Sequence, residues 1–297
     1  MKQKEPKVEI IILNWNGKKD TLECLSSLKK IEYFNYKIVL VDNGSKDDSL
    51  IEIKKNFHNV KIIQNKKNLG FTGGSNVGIK CALKNNADYV LLLNNDTIVD
   101  RKFLSEMIKL TESDEKIGIV CPKVFYSKPK IIQYAGLKFN LNTGNTLLIG
   151  NNERDNGQFN EVLEMDFCGG TCMLVKKGVF RKIGLFDNRY FAYFEDTDFG
   201  FRARKAGYKI VFCPKARIWH KVSASSGGQS NPLKEYYMNR NNILFMKKHV
   251  SKWQFCRFLS YFIFESIINS LIFIKKRRFD LFGAKIKGVY DGVRTNV

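Results

Sequence analysis

The chain has 297 residues, 44% of them hydrophobic, enough for one large α/β domain with an appendage. Its 50 Lys and Arg against 29 Asp and Glu give a formal net charge of +21, which suits phosphorylated ligands, an anionic membrane surface or nucleic acid. Seven cysteines, mostly inside apolar runs, argue for reduced buried thiols rather than a disulfide framework, and the first apolar run, residues 8–13, is too short for a signal peptide.

In chain order, residues 8–13 read as a strand, Asn14-Trp15-Asn16-Gly17 as the turn after it, and residues 19–30 as a helix. Residues 37–41 form a second strand ending in Asp42-Asn43-Gly44-Ser45, and a helix over 49–57 and a third strand over 60–63 follow. The glycine-rich stretch Asn68-Leu69-Gly70-Phe71-Thr72-Gly73-Gly74 opens a helix near Ser75, and residues 89–93 form a fourth strand that ends abruptly in Asn94, Asn95 and Asp96. Strands alternating with helices imply a doubly wound, mostly parallel sheet with its polar strand ends on one edge, where ligands of open α/β sheets bind.

Those ends carry the chemistry. Asp96 is a hard oxygen ligand placed for Mg²⁺ or Mn²⁺ on a diphosphate, or else a cap for a helix starting near Arg101. Asp42 either accepts hydrogen bonds from a nucleobase or ribose, or caps the helix after it. Gly70, Gly73 and Gly74 allow close backbone approach to a phosphate at a helix N-terminus, and the stretch matches neither a Walker loop nor a nicotinamide-binding fingerprint.

Past Asp96 the alternation fades. Strands are expected over 117–121, 131–139, 146–149, 162–167, 171–175 and 208–213, with a turn at Pro129 and the pair Gly169-Gly170 between two of them. Aromatic residues run into Glu195, Asp196 and Asp198 at a helix start; three acids suit the helix dipole, and acids clustered beside rings also suit a general base. Of three histidines, His58 and His249 read as solvent-exposed, and His220 after Trp219 as a structural residue or a second metal ligand.

Taken in order, Asn14-Trp15-Asn16-Gly17, Val41 to Ser45, Asn68 to Phe71 with Gly73-Gly74, Leu93-Asn94-Asn95-Asp96, Glu195-Asp196-Thr197-Asp198 and Trp219-His220 resemble the family 2 glycosyltransferases, especially rhamnosyltransferase-like members that build surface polysaccharides. Tyr237, Arg240 and Asn241 resemble a further family motif, and the likeness covers residues 7–250. The resemblance implies a GT-A nucleotide-sugar transferase fold and an inverting, metal-dependent mechanism with Mn²⁺ or Mg²⁺. It implies a donor site that includes Asn14, Asn16, Asp42 (on the base), Asn43, Gly70, Phe71, Gly73, Asn94, Asn95, Gly169 and Gly170. It further implies Asp96 with His220 on the metal and Asp196, beside Glu195, as catalytic base. Asn94 departs from the family motif, where a second Asp often stands.

Residues 1–230 are thus expected to form the catalytic domain, its nucleotide-binding half over about 1–100 and its acceptor half over 101–230, with 231–297 a basic helical extension. Residues 258–274 are the most apolar run, but they number too few for a span and contain Glu265. Phe264, Ile267, Ile268, Leu271 and Ile274 fall on one side of a helix, Glu265, Ser266 and Asn269 on the other, and Lys275-Lys276-Arg277-Arg278 follow. That pattern predicts a helix lying on an anionic leaflet, or packed on protein. The expected partners are a nucleotide-diphosphate sugar, a glycan or lipid-linked acceptor and a peripheral membrane contact, at the inner face of the cell membrane, with a homodimer left open. No nucleic-acid-binding motif accompanies the charge. The rival classes are a sugar nucleotidyltransferase, which would carry a basic glycine-rich loop where Asn14-Trp15-Asn16 stands, and a binding-only protein, suggested by Asn94.

Overall fold

The structure is a computed structural model and describes residues 5–127, 130–222 and 231–296. The first half alternates β1 (Val8–Asn14), α1 (Lys18–Leu28), β2 (Tyr36–Asp42), α2 (Ser49–Asn56), β3 (Lys61–Gln64), α3 (Gly70–Lys84) and β4 (Tyr89–Asn94). Then follow β5 (Thr97–Val99), α4 (Phe103–Glu112), β6 (Ile117–Tyr126), β7 (Ile132–Tyr134), β8 (Leu137–Asn140), β9 (Asn145–Leu148), β10 (Leu163–Glu164) and β11 (Cys172–Lys176). The remainder is α5 (Lys177–Ile183), α6 (Glu195–Lys205), β12 (Lys209–His220), α7 (Pro232–His249), α8 (Lys252–Lys275) and α9 (Phe279–Arg294).

The main sheet has the order β10-β12-β6-β11-β4-β1-β2-β3, with β5 on β12 and β7 on β6. Strands β1 to β4 run parallel, and β11 enters antiparallel between β4 and β6. Register sets the site: Asn14 lies beside Asp42, Asp42 beside Gln64, and Leu13 beside Asn94, so the polar ends line up on one edge. Because side chains alternate along a strand, Ile10 and Ile12 face the core shared with α1 and α4, while Ile11 faces α3 and α6. Helix α3 lies so close on β1 that a Cβ on Gly78 would stand 2.3 Å from Ile11 Cγ2.

The expected mixed doubly wound sheet is present, with shifted boundaries. Helix α3 begins at Gly70 rather than near Ser75: the side chain of Asn68 accepts from the Gly70 amide at 2.8 Å, so the glycines coil into the first turns. Residues 131–139 break at Gly136 (φ +145°), and β8 leaves the main sheet to pair with β9. Strand β12 runs on to His220 through an irregularity between Cys213 and Arg217. The expected turn at Pro129 lies outside the described residues. The all-reduced reading of the cysteines is corrected by the pairing of Cys121, on β6, with Cys168, in the loop before β11, their Cα atoms 5.8 Å apart.

The C-terminal helices join the main core: Phe245 of α7 packs edge-on against Phe139 and Phe201, and Phe258 and Phe262 of α8 are buried. His249 is correspondingly not exposed; it is folded against Phe245 and bonded to Asp198 at 2.8 Å. Helix α8 is the one described helix long and apolar enough to cross a membrane by length and composition.

Candidate active site

The ends of β1 and β2 are tied together by Asn14. Its amide donates to Asp42 Oδ1 (3.0 Å), Ser45 Oγ (3.1 Å) and Ser49 Oγ (2.9 Å), and its carbonyl accepts from Thr21 Oγ1 (2.9 Å). Asp42 is fully buried, and its other oxygen accepts from the Ser45 amide at 3.1 Å, closing the turn after β2. It does not cap α2, so that alternative for Asp42 falls. Asn16, in the left-handed region at φ 51°, accepts from the Lys46 amide and laces the two loops together. Asn43 donates to Asn68 Oδ1 and to the Gly70 carbonyl, fastening the glycine-rich start of α3 to β2. Gly73 and Gly74 lie in the first turns of that helix, where a Cβ on Gly74 would stand 2.4 Å from Leu13.

Asp96 sits in the tight turn between β4 and β5, buried, and not at the N-terminus of α4, whose first turn is bonded by Asp100 to Lys102. Its Oδ1 faces His220 Nε2 at 3.2 Å. The other ring nitrogen, Nδ1, meets Gln133 Oε1 at 2.9 Å. An amide oxygen only accepts, so Nδ1 donates to Gln133 and Nε2 is the nitrogen that faces Asp96. A carboxylate oxygen and an imidazole nitrogen facing each other suit a divalent cation such as Mn²⁺, so the donor set fits one. Among the described residues no cluster of three His, Cys, Asp or Glu is present. Sequence reasoning missed Gln133, which no motif marks. Asn94 donates its backbone amide to the Thr171 carbonyl (2.9 Å), and Asn95 donates to Thr21 Oγ1 (2.9 Å).

The acids stand one step further along. Asp196 Oδ2 accepts from the Gly170 amide at 2.8 Å, and Oδ1 accepts from the Thr197 amide at 2.7 Å. Burial lifts its carboxyl above the usual carboxylate range, although the Gly170 and Thr197 amides pull the other way. Glu195 is buried with Oε2 lacking any partner; burial, and then the neighbouring Asp196 charge, push it well above its ordinary value. Asp198 faces elsewhere. Burial opposes its charge, but His249, Arg202 and Lys248 outweigh that and hold its carboxyl below the usual range, so it fastens α6 to α7.

The chain reaches Glu195 through two left-handed residues, Tyr193 (φ 69°) and Phe194 (φ 70°). Non-glycine residues there cost about 1–2 kcal/mol each. The motif on α7 holds this turn: Asn241 Nδ2 donates to the carbonyls of Ala192 (2.8 Å) and Tyr193 (2.9 Å), Arg240 donates to the Arg189 carbonyl, and Tyr237 stacks on Phe191. Phe191 also packs on Gly70, where a Cβ would meet its carbonyl at 2.3 Å, and Phe71 lies against Gly170. The strand-end and acid-side residues therefore meet at Gly70, Phe71 and the Gly169–Thr171 turn.

Beside the acid pair lies a cavity of about 730 Å³, walled by Gly169, Gly170, Glu195, Asp196 and residues from α7, α8 and α9. Asp42, Asp96 and His220 are outside its walls. Two of its lining residues, Glu195 and Asn242, each keep a buried oxygen, Oε2 and Oδ1, without a hydrogen-bond partner.

A doubly wound sheet with a carboxylate–imidazole pair at the strand ends and a buried acid pair on an adjoining cavity suits a nucleotide-sugar transferase. The family profile described as glycosyl transferase family 2 matches residues 9–184, and the chain belongs to that family. It is 25% identical over 280 residues to the low-salt glycan biosynthesis hexosyltransferase Agl10 of Haloferax volcanii, covering 91% of this chain and 86% of that protein. It is also 25% identical over 231 residues to the poly-beta-1,6-N-acetyl-D-glucosamine synthase of Staphylococcus epidermidis, covering 74% of this chain but only about half (51%) of that synthase. Among solved structures, GalNAc-T7 with UDP, GalNAc and Mn²⁺ superposes with a TM-score of 0.66 at 18% identity, covering 82% of this chain and 48% of the other. The Pyrobaculum calidifontis mannosyltransferase PcManGT, in complex with GDP-Man and Mn²⁺, gives 0.60 at 12% identity, covering 99% and 76%. The fold is GT-A, and the protein is a family 2 glycosyltransferase.

Proposed function

We propose that the protein is an inverting hexosyltransferase of cell-surface glycan synthesis, moving a sugar from a nucleotide-diphosphate donor to a hydroxyl of a glycan or lipid-linked acceptor. The observation that carries this reading is Asp196, held by the Gly170 and Thr197 amides at the wall of a cavity that Glu195 also lines. The names of Agl10 and of the N-acetylglucosamine synthase support a hexosyl donor in glycan assembly. Rhamnose from a dTDP donor rests on motif likeness alone.

Asn16 and the loop from Asn43 to Ser45 form the seat of the donor nucleoside, and Asn14 and the buried Asp42 keep that loop in shape. Asp96 and His220 would hold Mn²⁺ or Mg²⁺, which when bound supplies positive charge against the departing diphosphate. Gln133 fixes the tautomer of His220. Asp196 accepts the proton of the acceptor hydroxyl while that oxygen bonds to the anomeric carbon. The bond from that carbon to the diphosphate oxygen breaks, and its electron pair leaves with the nucleotide. Attack opposite the leaving group inverts the configuration. Glu195, whose burial favours its protonated form, stands beside Asp196 in the wall that faces the acceptor. The reaction needs only one protein base, unlike a retaining glycosidase, which needs two carboxylates about 5–5.5 Å apart across the bond.

Replacing Asp196 by Asn should keep nucleotide-sugar binding and lower the transfer rate by roughly 10²–10⁴-fold, the usual contribution of a positioned base. Wild-type turnover in Asp196→Asn, followed as nucleoside diphosphate release, would overturn the assignment.

A further inference from the structure

Helix α8 has two faces with different neighbours. Phe262, Glu265 and Asn269 lie on one stripe and line the cavity that holds Glu195 and Asp196. Phe264, Ile267, Ile268 and Leu271 lie on the outer side and are between 41% and 64% exposed. The helix therefore walls the acceptor cavity from inside and leaves an apolar face uncovered outside.

The 24 residues would reach about 36 Å, long enough to cross a bilayer. The helix nonetheless carries along its inner side a cavity with four carboxylates, Glu195, Asp196, Glu235 and Glu265, groups that are costly inside a bilayer. It can lie on a surface. Exposed Lys275, Lys276 and Arg277 follow the apolar stretch at one end, and exposed Lys252 and Arg257 stand near the other, beside the exposed Trp253. Bases at both ends mean that two copies packed through this face would oppose like charges in either direction. An anionic leaflet instead neutralises both ends and covers the apolar strip between them.

We propose that α8 docks on an anionic lipid leaflet through its outer face and that this docking holds in place the inner face, which with Glu265 and Asn269 walls the acceptor site. The protein thereby takes an acceptor anchored in the same leaflet, and transfer is coupled to the surface. This rests on reading the acid-pair cavity as the acceptor site.

The test uses the full chain with vesicles of phosphatidylcholine, with and without phosphatidylglycerol, followed by co-sedimentation and hydrogen exchange. Binding to the anionic vesicles alone is expected, with slower amide exchange both along α8 and at residues 193–197. Each of Lys275, Lys276 and Arg277 changed to Gln should weaken vesicle binding roughly fivefold. The outer-face double variant Ile267→Glu, Leu271→Glu should lose it, while its thermal midpoint and its stabilisation by nucleotide sugar stay those of the wild type. No binding to anionic vesicles would overturn the proposal. So would a dimer in sedimentation with α8 already protected, which would make a second copy the occupant. Binding that leaves exchange at 193–197 unchanged would overturn the coupling. Donor-dependent stabilisation is read separately, so its loss would instead count against the transferase reading.

Discussion

At the residue scale, the acid pair divides its labour through its partners. Asp196 has amides on both oxygens, which stabilise its charge, and Glu195 has a bare oxygen in a buried wall, which favours its proton. The sign of the pH effect on stability follows. A carboxyl raised in the folded state binds a proton that the unfolded chain releases, so stability falls as pH rises from the usual carboxylate range to the folded value, and the loss persists above it. Glu195→Gln should therefore raise the melting temperature at neutral pH and have little effect near pH ~4, where free Glu is itself half protonated. A variant that melts earlier than wild type at neutral pH would show Glu195 to be a stabilising charge. Much at this scale was legible in the sequence: Asp96 with His220, and Asp196 with Gly170, are brought together as their motifs imply. Asn14 and Asp42 read from sequence as donor-site residues, with a helix cap as the alternative for Asp42. Where their hydrogen bonds go is a matter of register between β1 and β2, which no single residue announces. Gln133, Tyr134 and Asn242 carry no motif and come to the site through folding alone.

At the scale of elements, α7 is a brace. Asn241 grips two carbonyls of the left-handed turn before Glu195, and Asp198 on α6 ties back to Lys248 and His249 at the other end of α7. Asn241→Ala should relax the turn and displace the acids without touching the strand ends. A fall in kcat of about tenfold or more is expected, in line with the sensitivity of catalysis to misplacement of about 1 Å, with donor affinity unchanged. An equal loss of donor affinity would mean that α7 supports the nucleotide side as well. The periodicity of residues 258–274 gave the two sides of α8 correctly. It could not say that Glu265 and Asn269 look into a cavity, because that depends on α7 and α9 closing around them. The glycine-rich stretch was read as a loop opening a helix near Ser75. Its glycines belong to the helix itself because Leu13 and Phe191 press against them, contacts that no local pattern encodes.

At the scale of the molecule, the parallel strands β1 to β4 bring their polar end loops to one edge, and β11 brings the Gly169–Thr171 turn between them and the acids. Thr171 bonds Asn94 while Gly170 bonds Asp196, so one short turn spans the two halves of the site. Strand–helix alternation made the first half readable as far as Asp96. The second half, with its antiparallel insertion and separate two-stranded sheet, has long-range pairings that alternation does not predict. The most direct single measurement is the thermal stability of the protein with dTDP-, UDP- and GDP-sugars, with and without Mn²⁺, in the wild type and in Asp96→Ala. A donor at ~100 times its dissociation constant stabilises a fold by about 2.7 kcal/mol. A Mn²⁺-dependent rise with one nucleotide class, lost in Asp96→Ala, is the expected result. Folded wild-type protein that responds to none of the donors would contradict the transferase reading.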